Sequence, residues 1–261
     1  MPFLSVIKVE ILKLYHKRST LLLLLLLLPP VLFGIGMTMG LSFFVSDGGN
    51  SGADAIGINL SGMGFVVNML GQSNYILFLV TIILAATAFS AELENGQIKA
   101  ELIRICSRSK VLAAKYVALL IVISSAFLVF ILWSFVVYAL FVSRTGYANG
   151  QLFDALYLTH LRYILFQWLA VAVAMSFAFL MGIKLKTFPC FAVSYIVWFA
   201  SLYSDFIDKI RLFFPSNMPD YLLETNGHIT ALFPYTVLYT GYCALFILSA
   251  VLLFKRIDIK N

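Results

Sequence analysis

Six long apolar runs separated by short polar stretches set the pattern of this chain. They extend over about Thr20–Val45, Tyr75–Ala91, Tyr116–Val142, Tyr163–Ile183, Thr187–Ser204 and Phe233–Phe254, and none contains Asp, Glu, Lys or Arg. A helix crosses a hydrocarbon layer with about 20 mostly apolar residues. Runs that are apolar on every side have no solvent face to offer. The pattern predicts an all-α integral membrane protein, a single transmembrane domain over residues 1–261 with six transmembrane helices. The first run opens with eight leucines, Leu21 to Leu28, followed by Pro29-Pro30. It extends too far for a cleaved leader, and the proline pair is expected to kink it.

The stretches between the runs carry their own patterns. From Phe3 to Arg18, Phe3, Leu4, Ile7, Ile11, Leu14 and Tyr15 recur at three- and four-residue spacing, with Lys8, Glu10, Lys13 and Lys17 on the other face. A basic amphipathic helix beside a span lies along the membrane interface. It is either an anchor or an elbow that transmits motion. Between the second and third runs, Gly96 breaks the exit, and Ile98, Leu102, Ile105 and Val111 mark one or two short amphipathic helices. This segment either touches lipid headgroups or docks into the groove of a partner. Ser46–Asn74 has seven glycines and no Lys or Arg, and its Ile58–Leu70 part is apolar enough for a short helix on the membrane surface. Asp205–Thr230 mixes acidic residues with Phe206, Ile207, Ile210, Leu212, Phe213 and Phe214, and is expected to dip back into the membrane.

Composition agrees: 62% of residues are apolar and 11% charged. Soluble domains are about 25% charged, so a soluble enzyme, a disordered tail and a nucleic-acid-binding module are excluded. The net charge of +6 reports orientation rather than a polyanionic partner. Fourteen of the 18 basic residues fall in the N-terminus, the second and fourth connections and the C-terminus, leaving Arg144, Arg162, Lys209 and Arg211 opposite. Basic residues accumulate on the cytoplasmic side, so both termini are expected in the cytoplasm. His16, His160 and His228 are scattered, and Cys106, Cys190 and Cys243 show no metal-binding or disulfide spacing. There is no phosphate loop, no H-E-x-x-H and no G-x-S-x-G. The chain is read as non-enzymatic, with no cofactor or metal of its own. Spans without ionisable residues also argue against ion-coupled transport. Energy for movement is then expected from a separate nucleotide-hydrolysing partner.

The stretch Phe89–Val122, with Ser90, Glu92, Gly96, Lys99, Arg108, Lys110, Lys115 and Tyr116 at its marked positions, resembles the junction between the second and third spans of type-2 ABC transporter permeases. The motif covers about 30 residues, and Cys106-Ser107-Arg108-Ser109 departs from the S-R-P step of many relatives. The resemblance implies a half-transporter in a bacterial cytoplasmic membrane. It would pair with a second permease chain, identical or sister, and each chain would bind an ATP-binding subunit that holds ATP and Mg. It also implies that Gly96–Arg108 is the coupling helix, with Glu92, Gly96, Ile98, Lys99, Leu102, Ile105 and Arg108 as the docking residues. By analogy the substrate is an antimicrobial or other amphipathic peptide, moving between the two chains; Tyr75, Phe78, Phe127, Trp133, Phe166 and Trp168 are candidates for its route, with ordinary span packing or an interface belt the weightier reading of each. An ATP-independent carrier or channel and a structural or sensory membrane protein stay open.

Overall fold

The computed structural model describes residues 3–40, 60–105, 107–225 and 232–256, excluding the side chains of residues 99, 100, 104, 105, 205, 208 and 209. Apart from one isolated bridge between Leu60 and Ala148, the described elements are helical. They are α1 (Phe3–His16), α2 (Leu28–Thr38), α3 (Gly62–Gln72), α4 (Asn74–Glu94), α5 (Gln97–Ile105), α6 (Arg108–Val137), α7 (Tyr157–Met181), α8 (Thr187–Leu202), α9 (Asp208–Arg211), α10 (Met218–Glu224) and α11 (Leu232–Arg256).

Five helical stretches are long and apolar enough to cross a membrane: 18–38, 74–94, 108–142, 157–181 and 232–256. The chain is therefore a multi-pass, all-α membrane protein. The fifth expected span falls short of this length. α8 has 16 residues, or about 24 Å at ~1.5 Å per residue, against a hydrocarbon thickness of about 30 Å. A 3-10 turn, Tyr203–Phe206, continues it. Ser204 and the residues after it are polar enough to mask this continuation in the sequence.

The proline pair acts differently from a simple kink. Arg18–Leu27 is a ten-residue 3-10 helix, and α2 begins at Leu28. Pro29 and Pro30 have no N–H to return to the carbonyls of Leu25 and Leu26, and their rings crowd the preceding turn. The tighter winding lets Leu28 N–H donate to Leu25 O instead. At the other end of this crossing, α2 lies close against α6. A Cβ on Gly34 would stand 2.7 Å from Val137 Cγ1. Small residues at such crossings let membrane helices approach. α6 then passes into a π-turn, Tyr138–Val142, where the Tyr138 hydroxyl donates to Leu60 O at 3.0 Å and lies 3.2 Å from Gln151 O.

α4 and α7 are the inner helices, and α11 is the least covered. α7 packs on α4, α10 and α11, and α8 packs on α4. The core is apolar and aromatic, with Phe89 against Phe179 and Phe254, and Phe166 against Tyr239. The expected surface helix in Ile58–Leu70 is instead part of this core. α3 buries Phe65, Val66 and Met69 completely, held at its start by Ser61, whose hydroxyl accepts from Gly64 N–H and donates to Asp154. The glycine-rich stretch 46–59 ahead of α3 lies outside the described residues. At the same end of the bundle, Arg211 makes a bidentate pair with Glu224 at 2.7 and 2.8 Å and sits over the Tyr221 ring. That clamp ties α9 to α10.

Candidate functional site

The end of the bundle where α1 meets α4, α5 and α6 collects six charged side chains. α1 supplies Glu10 and Lys13, and Lys17 sits just beyond it; α4 supplies Glu92, α5 Glu101 and α6 Lys115. Each helix has a reason to bring its charge there. α1 turns Val6, Ile7 and Leu14 into the core, and Glu10 lies on that same face. Glu92 occupies the last full turn of α4, and Lys115 the second turn of α6.

Lys115 is the centre. Its Nζ lies 2.9 Å from Glu10 Oε2 and 3.0 Å from Glu101 Oε2, and it also pairs with Glu92. Lys13 bridges Glu10, at 3.2 Å, and Glu101. Lys17 pairs with Glu92 and donates to Thr87 O at 3.3 Å. Lys115 is 2% exposed and Glu92 3%. Three carboxylates thus meet one buried ammonium group, Lys115, and two partly exposed ones, Lys13 and Lys17. Such a cluster is tolerated only when every charge is matched and hydrogen-bonded. At Lys13, burial opposes the ammonium, and Lys115 adds repulsion. The hydrogen bond to Glu101 and the charges of Glu10 and Glu101 outweigh both, holding Lys13 above the usual lysine value.

Glu10, Glu92 and Glu101 bring carboxylate oxygens within 4.8 Å of one another, close enough to hold a metal ion. Lys115 Nζ already occupies that space, and the three ammonium groups leave no excess negative charge. A divalent cation would have to displace Lys115, so the arrangement does not fit one.

A second ring of contacts surrounds the network. Ser90 Oγ donates to Leu185 O at 2.6 Å, and Glu94 accepts from Thr187 N–H and Oγ1–H at 3.3 and 2.5 Å. Glu94 thereby caps α8. Arg108 donates to Phe254 O and Lys255 O at the end of α11, where helix carbonyls lack partners and favour a cation. The stretch Ser90–Lys115 therefore touches the N-terminal helix, the α7–α8 turn and the last turn of α11.

The expected docking residues take different places. Glu92 is buried in the network and Arg108 is committed to α11. Gly96 ends α4 in a left-handed conformation, φ +69°, the conformation that glycine adopts most readily after a helix. Ile98 is fully buried and Leu102 packs against the core. Ile98 therefore faces its own chain, and Leu102 does so in part. The side chains of Lys99 and Ile105 lie outside the described residues. Among the described side chains of α5, the exposed large apolar residue is Ile103, at 79%. Sequence reasoning misses it because it stands between Leu102 and Arg104, off the stripe that periodicity picks out. It misses the network too: Glu10 and Lys115 are 105 residues apart, and each reads as interfacial charge. Of the aromatic candidates, Phe78 is buried in the bundle. Phe127 and Phe166 are buried, and the indoles of Trp133 and Trp168 donate to Leu27 O and Ser124 Oγ.

The profile of the family described as "Protein of unknown function (DUF2705)" matches residues 35–260, and the chain belongs to that family. No curated protein matches the chain.

Proposed function

We infer that this DUF2705 member is the membrane subunit of an ATP-driven exporter in the cytoplasmic membrane, moving an amphipathic or hydrophobic substrate. One observation carries the reading: α5, a short amphipathic helix, is tied through Glu101 to both the N-terminal helix and the start of α6. A push on α5 would reach three segments of the bundle through Lys115 rather than dissipate in a loop. In this reading a separate ATP-binding subunit docks on the exposed side of α5, against Ile103 and Gln97, and holds ATP and Mg. The chain itself performs no chemistry. A second permease chain completes the transporter.

Six crossings are part of this proposal. Thr187 at the start of α8 lies beside Glu94, and Trp198 near its end packs on Tyr75 and Phe78 at the opposite end of α4. α8 thus parallels nearly the whole of α4. With its 3-10 continuation, at about 2.0 Å per residue, it reaches about 32 Å. A groove of about 350 Å³ lined by Leu25, Leu28, Leu32, Tyr75 and Tyr195 suits the pairing face between two chains. The buried charges give an ion-coupled carrier no support, since each carboxylate is already matched by an ammonium group.

The test is co-purification of the chain from its native membrane, with a phosphate-loop ATPase expected to accompany it. Ile103→Asp is expected to abolish association while insertion and thermal stability stay unchanged. Retained association would remove α5 as the docking element. Transport by the chain alone in nucleotide-free vesicles would remove the whole reading.

A further inference from the structure

At the end of the bundle away from the charged network, the first and third crossings touch and then part. They meet at Gly34, where an added Cβ would stand 2.7 Å from Val137 Cγ1 and 3.4 Å from Phe141 Cβ. Beyond this point Gly40 terminates α2 in a left-handed conformation, φ +75°, and α6 passes into its π-turn. A groove of about 480 Å³ opens between the two ends. One wall is Met37, Thr38 and Gly40; the other is Leu140, Phe141 and the segment after the π-turn, which includes Arg144. That second wall is held in place by Leu60 N–H, which donates to Tyr147 O at 2.8 Å. A Cβ at Gly40 or Gly146 would meet nothing within 4 Å among the described residues.

The groove is apolar at one end and charged at the other. Leu128, Leu132, Val136 and Leu140 are all exposed and recur at four-residue spacing along α6 and its π-turn. A stripe of this kind on a membrane-spanning helix is as apolar as the lipid tails beside it. The next position at the same spacing is Arg144, also exposed. Both crossings end here, at Thr38 and Val142, so the charge falls at the depth of the headgroups. None of the described residues lining the groove is acidic. Its two threonine hydroxyls are committed: Thr38 Oγ1 donates to Ile35 O at 2.6 Å and Thr145 Oγ1 to Val142 O at 2.7 Å. Arg144 is therefore the charged donor of the groove. A guanidinium grips phosphate through paired N–H donors, and basic pockets between membrane helices recognise anionic headgroups.

We propose that this groove binds one anionic phospholipid, with its phosphate on the Arg144 guanidinium and its acyl chains along Leu140, Val136 and Leu132. The site lies within one chain and does not depend on ATP-driven transport.

The experiment is native mass spectrometry of the full chain released from detergent micelles, with phosphatidylglycerol as the probe. The wild-type chain is expected to retain one phosphatidylglycerol, and retention is expected to saturate. Arg144→Gln is expected to weaken it about tenfold, the equivalent of one charge-assisted hydrogen bond. Diacylglycerol with the same acyl chains, which lacks the phosphate, is expected to bind weakly and equally to both proteins. Gly146→Trp, which sets a ring in the open groove, is expected to abolish retention with the unfolding midpoint unchanged. If that variant does not fold, Gly146→Leu serves in its place, with at least a severalfold loss expected. Lys184→Gln removes an exposed cation at the network's end of the bundle and is expected to leave retention unchanged. Equal losses in Arg144→Gln and Lys184→Gln overturn the proposal, since the lipid would then follow net charge. So does displacement of the lipid by millimolar inorganic phosphate. Wild-type retention in Arg144→Gln also overturns it, and a lowered unfolding midpoint in that variant would make Arg144 a cap for α2 instead. Quantitative disulfide formation between Gly146→Cys and Asp47→Cys would assign the groove to residues 41–59 of the chain and overturn it as well.

Discussion

Lys115 holds three carboxylates that would otherwise repel one another in a space closed to water. Lys115→Met is therefore expected to destabilise the fold by about 3–5 kcal/mol, the cost of breaking a buried ion pair and leaving charge unmatched. Adding Glu10→Gln and Glu92→Gln to the same protein should recover much of the loss. Thermal unfolding in detergent measures both, and an unchanged midpoint in Lys115→Met would show that the charges are not buried together. Lys13 behaves predictably with pH. A group held above its unfolded value stabilises the fold below that value and loses the effect as pH rises through the folded one. Its contribution is thus constant through the neutral range and declines only above 10.5, the ordinary lysine value. Lys13→Met should flatten that alkaline decline in unfolding midpoint and leave the neutral part of the profile unaltered in shape. At Gly96 nothing would touch an added Cβ, so the constraint is backbone conformation alone. Gly96→Ala should cost about 1 kcal/mol, and a larger loss would mean that the turn packs against something else.

Among the elements, the Arg18–Leu27 helix depends on the proline pair just beyond its end. Replacing Pro29 and Pro30 with Ala restores the missing N–H groups and removes the ring clash. The ten leucine-rich residues should then rewind as α-helix. At about 2.0 Å per residue against about 1.5 Å, the crossing shortens by roughly 5 Å. Spin-label distances between residues 18 and 38 would register the change, and an unaltered distance would show that the prolines are not its cause. Gly34→Leu is expected to force α2 off α6 and destabilise the protein by about 1–3 kcal/mol through overpacking. The helices themselves are largely legible in the sequence. Apolar length alone locates five of the long crossings, and three- and four-residue spacing locates α1 and α5. Direction is not legible. Ile98 and Leu102 form a proper amphipathic stripe, but a stripe does not say whether it faces a partner or its own chain. α3 deceives for the same reason: an apolar segment between glycines can lie on a membrane or inside a bundle, and only packing against α6 and α7 decides.

For the whole molecule, the network joins parts of the chain that sequence order keeps far apart. Local pattern cannot show such a site, since matched charges look like ordinary basic and acidic flanks until the fold assembles them. The same holds for the groove beside Arg144, whose lining comes from the end of α2, the π-turn and the segment beyond it. The importance of the stretch Glu92–Lys115 is visible without the fold, through its density of charge between two apolar runs.

The pairing of Glu10 with Lys115 also orders events during synthesis. Residue 10 leaves the ribosome long before residue 115, so α1 has no seat until the third crossing has been made. Nascent chains arrested at about residue 100 should therefore carry a loose N-terminal helix that protease removes readily. Chains arrested beyond the completed third crossing should protect it, unless Lys115 has been changed to Met.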